Sequence, residues 1–180
     1  MKRFTHNPII TRQDIPEVCL ELTDVTSVFN PGAVFFEDKY HLILRVQNRA
    51  RETILLSAKS NDGINFHISE KPIILEGLEE ISNQIFHIYD PRITQIRDTF
   101  HIIVAMDMDN TCRLGLIQTK DFNNFRFFGI ISEDDNRNGV LFPEKINGQF
   151  ARLDRPNVTT LESGVTSGGG IQLSFSDDLL

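Results

Sequence analysis

The sequence predicts an all-β chain of the β-propeller kind with about three blades present, and three observations predict it. Asp62, Asp121 and Asp178 close turns of one grammar, Ser60-Asn61-Asp62-Gly63, Thr119-Lys120-Asp121-Phe122 and Ser176-Asp177-Asp178-Leu179, at spacings of 59 and 57 residues. Each period holds one hairpin signal, and each hairpin is flanked by runs of strand composition. Periods of roughly 50–60 residues with four strands apiece are the sequence sign of propeller blades. A β-sandwich with coincidental spacing is the plainer alternative.

In chain order, Asn30-Pro31-Gly32 leads into Ala33-Val34-Phe35-Phe36, which turns at Asp38-Lys39-Tyr40 into His41-Leu42-Ile43-Leu44. Residues 53–58 then run apolar into the Asp62 turn, and Phe66-His67-Ile68 leaves it. The second copy repeats the order: Tyr89-Asp90-Pro91-Arg92, the run 93–96, the turn Asp98-Thr99-Phe100, the runs 101–104 and 113–118, the Asp121 turn and the run 125–128. The third begins at Asn136-Arg137-Asn138-Gly139 and passes through Val140-Leu141-Phe142, Gly148-Gln149-Phe150 and Ala151-Arg152-Leu153. β-Branched and aromatic residues bounded by Gly, Asn and Asp are what strands and tight turns require. The repeats so defined cover about 28–85, 86–135 and 136–180 of a single domain, 1–180. An aromatic follows the first two Asp turns after four residues (Phe66, Phe125), and the third copy ends at Leu180 before its own. Propellers close with about four to eight blades, so the expectation is an N-terminal portion whose missing blades come from further chain, another chain or another copy.

Composition sets broad bounds. At 40% hydrophobic and 24% charged residues the chain is ordinary globular material. A net charge of −7 argues against a broad nucleic-acid surface while leaving room for a local arginine cluster. The start, Met1-Lys2-Arg3-Phe4-Thr5-His6-Asn7-Pro8, lacks the apolar stretch of a signal peptide, and no run is long enough to span a membrane. The expected location is cytoplasmic, with no membrane partner. Cys19 and Cys112 lie far apart without metal-ligand spacing, which reads as two reduced thiols. The histidines His6, His41, His67, His87 and His101 show no paired ligand spacing either, and Met106-Asp107-Met108-Asp109 lacks the remainder of a calcium loop, so no metal is expected. Gly168-Gly169-Gly170 follows Thr166-Ser167 rather than opening a helix after a strand, which reads as a loop and not a nucleotide cradle.

Propellers place ligands where the innermost strands of successive blades end together. Asn30, Asp90 and Arg137 precede the three inner strands at comparable places in the repeat, which predicts one common site. Each also has a turn reading, because Asn-Pro-Gly, Asp-Pro and Asn-Gly are turn formers. Arg45 and Arg155 both lie five positions beyond their hairpin aromatics, Tyr40 and Phe150, where a strand built for burial acquires a fixed cation that calls for an anionic partner or ligand. Arg137, Asn138, Arg152 and Arg155, with Lys145 nearby, suit a small anion, phosphate above all, because the guanidinium fork meets its oxygens in bidentate fashion. The alternative pairs these arginines with Glu144, Asp154 and the Asp turns.

The wording of the chain resembles the β-mannoside phosphorylases of glycoside hydrolase family 130, which are five-bladed propellers. The resemblance rests on residues 7–16, Val28-Phe29-Asn30-Pro31-Gly32-Ala33, Leu44-Arg45-Val46, Tyr89-Asp90-Pro91-Arg92-Ile93-Thr94, residues 136–148 and Arg152-Leu153-Asp154-Arg155-Pro156, and spans the whole chain. It implies phosphorolysis with inversion: inorganic phosphate, the co-substrate, attacks C1 of a nonreducing β-mannosyl unit and releases α-mannose 1-phosphate and a shortened sugar. No further cofactor is implied. The family's catalytic acid matches Asp90, which would pass its proton through the mannose 3-hydroxyl to the glycosidic oxygen, so that one acid serves where an inverting hydrolase needs two carboxyls. That task calls for an environment holding a proton on Asp90 near neutral pH. Phosphate-binding residues match Arg137, Asn138 and Arg155, and mannose-binding residues match Asn30 and Arg45. The family's remaining phosphate ligands, a lysine, a histidine and a tyrosine, and a further sugar-binding Asp match nothing in these 180 residues, so the chain alone is expected to be weak or inactive. The substrates implied are short β-1,4-mannooligosaccharides or mannosyl-glucose, and the protein is either a homo-oligomer or completed by further blades. The alternatives are an inverting β-mannoside hydrolase on the same scaffold and a noncatalytic propeller fragment or carbohydrate-binding module.

Overall fold

The computed structural model describes residues 2–132, 135–157, 159–160, 166–167 and 170–180, so Gly168 and Gly169 of the triple-glycine run lie outside the described residues. The chain divides into two compact units, 1–73 and 74–180.

In the first unit, strands β1 (Val25–Phe36), β2 (Lys39–Asn48), β3 (Thr53–Ser60) and β4 (His67–Pro72) form one antiparallel sheet in sequential order. Sequential order follows from the short connections. Glu37 and Asp38 both take positive φ, 48° and 56°, and join β1 to β2 through two residues, a geometry whose twist matches that of the strands. Ser60 Oγ donates to Asp62 Oδ1 (2.8 Å), and that oxygen accepts the backbone N–H groups of Ile64 and Asn65, which closes the turn between β3 and β4. One face of the sheet buries Leu44, Val46, Ile54, Leu56, Ala58 and Ile68 with Ile15 and Leu22 from the N-terminal segment.

The second unit opens with the two-residue strand β5 (Leu75–Glu76), followed by β6 (Ile85–Ile96), β7 (Thr99–Met108), β8 (Thr111–Thr119) and β9 (Phe125–Ile130), in the sheet order β5-β9-β8-β7-β6. All neighbours are antiparallel except β5 and β9. The Asp121 turn reproduces the Asp62 turn: Asp121 Oδ1 accepts from the Asn123 and Asn124 N–H groups, as Oδ2 does from Asn124 Nδ2. Strands β10 (Asn136–Leu141), β11 (Phe150–Pro156), β12 (Thr159–Thr160), β13 (Thr166–Ser167) and β14 (Gln172–Ser176) follow; β14 pairs with β11 on the side away from β10, and β12 pairs with β13. The third turn forms as well, with the Asp178 N–H donating to Ser176 Oγ at 3.4 Å.

Strand β10 packs on the sheet before it. Ile103, Leu114, Leu116 and Leu141 make one buried cluster, and Thr94 Oγ1 donates to the Leu141 carbonyl (2.9 Å). The approach is close enough that a Cβ on Gly139 would lie 2.5 Å from Leu114 Cδ1 and 3.1 Å from Ile103 Cγ2. A side chain at 139 would force the buried Leu114 and Ile103 to shift.

Candidate phosphate and acid site

One irregularity recurs in all three inner strands. The pairing shifts by one residue between Phe29 and Gly32, between Tyr89 and Arg92, and between Arg137 and Val140, so that two residues of the inner strand oppose one of its neighbour. Such bulges re-aim side chains at strand ends. At each, one residue sits in the left-handed region: Asn30 (φ 46°), Asp90 (φ 54°) and Asn138 (φ 55°). Asn and Asp tolerate that region better than other side chains, which is why these residue types recur there. Turn dipeptides align Arg137 with Asn30 and Asp90, but the ladder shows that their counterpart is Asn138; Arg137 corresponds to Phe29 and Tyr89.

The bulge also sorts the cations. Arg137 pairs with Arg155, as Phe29 pairs with Arg45 and Tyr89 with Ala105. Residues directly opposite in a ladder share a face with neighbouring Cβ atoms, so Arg137 and Arg155 stand side by side. Arg152 lies three residues before Arg155 on an unbulged strand and thus faces the other way. There its Nε donates to Asp154 Oδ1 (2.6 Å) and its Nη1 to the Ile131 carbonyl (2.6 Å), while Ser174 Oγ donates to Asp154 Oδ2. Arg152 belongs to this closed structural pair and drops out of the anion cluster. Lys145 drops out too, since its Nζ lies 4.2 Å over the Phe150 ring. Burial does not single out Arg155, which is exposed; in the first unit the half-buried Arg45 lies over the Phe29 ring at 4.3 Å.

Several interactions that the sequence does not disclose hold the arginine strands. Asn136 Oδ1 accepts the Arg155 N–H (3.0 Å), and Asp135 Oδ1 accepts both the Cys112 N–H (2.9 Å) and Asn157 Nδ2 (2.7 Å). The buried Tyr89, immediately before Asp90, donates its hydroxyl to Asp107 Oδ1 (2.7 Å), and Arg137 Nη2 approaches that same oxygen at 3.8 Å. Burial pushes the Tyr89 hydroxyl well above its usual range, and the bond to Asp107 adds to this. Burial likewise raises the Cys112 thiol. At Arg137 burial works against the charge, but Tyr89, Cys112, Asp107 and Asp135 together outweigh it and hold the guanidinium proton more firmly than usual. Alternation puts Asp107 on the face of Ala105, and the ladder, not the sequence, makes Ala105 the partner of Tyr89, which brings Asp107 within diagonal reach of that long aromatic.

Among the described residues no group of His, Cys, Asp and Glu is arranged to hold a metal ion. The unit thus offers two neighbouring guanidinium groups on one face, and a carboxylic acid whose preceding residue shares a carboxylate oxygen with one of them.

The family described as beta-1,4-mannooligosaccharide phosphorylase, glycoside hydrolase family 130, matches residues 1–180. The beta-1,4-mannooligosaccharide phosphorylase of Ruminococcus albus is 33% identical over 183 residues, covering 98% of this chain and 51% of that protein. The 4-O-beta-D-mannosyl-D-glucose phosphorylase of Bacteroides fragilis is 30% identical over 193 residues, covering 97% and 48%. Among solved structures, the beta-1,2-mannobiose phosphorylase of Listeria innocua in complex with beta-1,2-mannobiose superposes with a TM-score of 0.81 at 25% identity, covering 98% of this chain and 63% of that one. The chain spans about half the length of the curated relatives it matches. The fold is that of the five-bladed β-propellers, of which about three blades are present.

Proposed function

The chain belongs to glycoside hydrolase family 130, and on that premise we propose that it carries the acid and part of the phosphate grip of an inverting β-mannoside phosphorylase. Phosphate oxygen bonds to C1 of the terminal mannosyl unit as the C1–O bond to the remaining sugar breaks, and Asp90 supplies, through the mannose 3-hydroxyl, the proton that the leaving oxygen takes up. Arg137 and Arg155, with Asn138, hold the phosphate and neutralise its charge as it nears the electron-poor carbon. Asn30 and Arg45 bind the mannosyl unit. Short β-1,4-mannooligosaccharides or mannosyl-glucose are the substrates proposed, in keeping with the relatives.

The pairing of Arg137 with Arg155 carries this reading. Like charges directly opposite in a ladder repel, and an oxyanion between them turns repulsion into a bidentate grip on each side. An inverting hydrolase would place a carboxylate there to activate water. The test supplies β-1,4-mannobiose with and without inorganic phosphate to a polypeptide carrying these blades together with the remainder of the relatives' length. Mannose 1-phosphate formed only with phosphate supports the proposal; free mannose at a phosphate-independent rate overturns it. The 180-residue chain alone is expected to turn over weakly or not at all.

A further inference from the structure

Two arginine–aspartate pairs in this unit differ in a way that has a use. Arg152 closes on Asp154 at 2.6 Å with both side chains largely buried, and its Nη1 is bonded to a carbonyl. Arg137 stands 3.8 Å from Asp107, beyond hydrogen-bond range, with its side chain 43% exposed. Its Nε is buried and has no hydrogen-bond partner among the described residues. The Asp107 oxygen that faces it already accepts the Tyr89 hydroxyl at 2.7 Å. Asp107 therefore attracts the guanidinium without closing on it, and the fork keeps donors for a guest.

We propose that Tyr89 and Asp107 form a positioning pair that sets the Arg137 guanidinium for inorganic phosphate, tying the strand that carries Asp90 to the strand that grips the anion. The inference rests on the phosphorylase reading of this site. Tyr89 sits on β6 directly before the Asp90 bulge, Asp107 on β7 and Arg137 on β10 directly before the Asn138 bulge, so one carboxylate indexes both bulges against each other. Without the Tyr89 hydroxyl, Asp107 would be free to swing onto Arg137 and occupy the donors meant for phosphate. Without the Asp107 charge, the guanidinium would lose its fixed direction. Neither residue touches substrate, and both act through Arg137.

The test titrates inorganic phosphate into a polypeptide carrying these blades together with the remainder of the relatives' length and follows the arginine Nε–H resonances by NMR, for the unsubstituted protein and for Tyr89→Phe, Asp107→Asn and the double variant, with thermal unfolding of each. A saturable phosphate-dependent shift is expected in the unsubstituted protein. Each single variant weakens it about tenfold, the scale on which one hydrogen bond or one ion pair acts, and the double variant weakens it by less than the product of the two. Unchanged phosphate affinity in both folded single variants overturns the positioning role and leaves the phosphorylase reading standing. Tighter binding in Asp107→Asn overturns it too, showing Asp107 to be a competitor of the anion. If the unsubstituted protein shows no saturable shift with phosphate, the phosphate grip itself fails and the inference falls with it. Should a variant unfold, Asp107→Glu, which keeps the charge and moves it by one methylene, takes its place under the same criteria.

Discussion

Arg137 and Arg155 are paired directly across β10 and β11, two guanidinium groups on one face of the ladder. Nothing in folding asks for this, since like charges so placed cost the sheet stability. Arg155→Gln is therefore expected to raise stability slightly, by ~0.5 kcal/mol in urea unfolding. In a polypeptide carrying these blades with the remainder of the relatives' length, the same substitution is expected to lower phosphate-dependent turnover by about 100-fold, the scale on which one preorganised charge stabilises a transition state. A variant less stable than the parent would show that the two side chains do not oppose one another.

At Asp90 the proposed chemical role coincides with a conformational one. At φ 54° it occupies a region in which Asn is nearly as comfortable as Asp. Asp90→Asn is thus expected to keep the parent's unfolding midpoint while turnover falls by roughly 100- to 10,000-fold, the range of general acid catalysis. Asp90→Ala adds left-handed strain on the order of 1 kcal/mol and should lower the midpoint as well. Comparing the two variants separates chemistry from backbone. Equal turnover in Asp90→Asn and the parent would remove Asp90 from the reaction.

The contrast between local and paired features decides what the chain discloses before folding. The Asp62 and Asp121 turns are legible because each is closed by its own few residues, Ser60 to Asn65 and Thr119 to Asn124. The hairpins are legible for the same reason. The bulge register is not, since it depends on which residue of the neighbouring strand lies opposite; a one-residue shift separates Arg137 from Asn138, and dipeptide alignment alone chooses the former. The opposed faces of Arg152 and Arg155 follow from alternation, but that β11 is unbulged does not. Tyr89 and Asp107, 18 residues apart, become partners only through strand pairing, and β9 takes as its parallel partner the two-residue β5, too short to announce itself.

Acid sensitivity is expected in two steps. Burial lowers His101 below its ordinary 6.5, partly offset by a backbone hydrogen bond at Thr99, and burial lowers His41 likewise, with Lys59 adding to it. A depressed histidine pKa means that the unfolded chain takes up the proton first, so stability falls as pH drops below about 6.5 and levels off beneath the folded pKa values. The carboxylates follow the same order at lower pH, the unfolded chain again taking up the proton first. Backbone hydrogen bonds from Asn124 and Asn123 bring Asp121 from 3.8 down to about 2, and those in the Asp62 turn depress Asp62 as well. Their contribution is present above 3.8 and lost as pH falls toward the folded values. Urea unfolding across this range should show the first decline weakened in His101→Gln and the second weakened in Asp121→Asn. An unaltered upper step in His101→Gln would remove that histidine from the account.

Gly63 and Phe122 hold the same place in successive Asp turns, with φ 72° and 55°, and each donates its N–H to the hydroxyl that opens its turn, Ser60 Oγ at 2.9 Å and Thr119 Oγ1 at 3.1 Å. A phenylalanine in the left-handed region bears strain of roughly 1–2 kcal/mol that glycine does not. What keeps it there is burial: Phe122 is 3% exposed, with its ring 4.7 Å from Phe100 and 6.3 Å from Phe125. Truncating such a buried aromatic costs about 3–5 kcal/mol, more than the strain relieved. Phe122→Gly should therefore destabilise the protein by about 2 kcal/mol, the difference between those magnitudes. In the first copy the balance runs the other way. Gly63→Ala meets both the positive φ and a Tyr40 ring carbon 3.3 Å from its new Cβ, and should cost about 1 kcal/mol. Urea unfolding of the two variants reads both effects, and a Phe122→Gly protein more stable than its parent would show that strain, not packing, governs this turn.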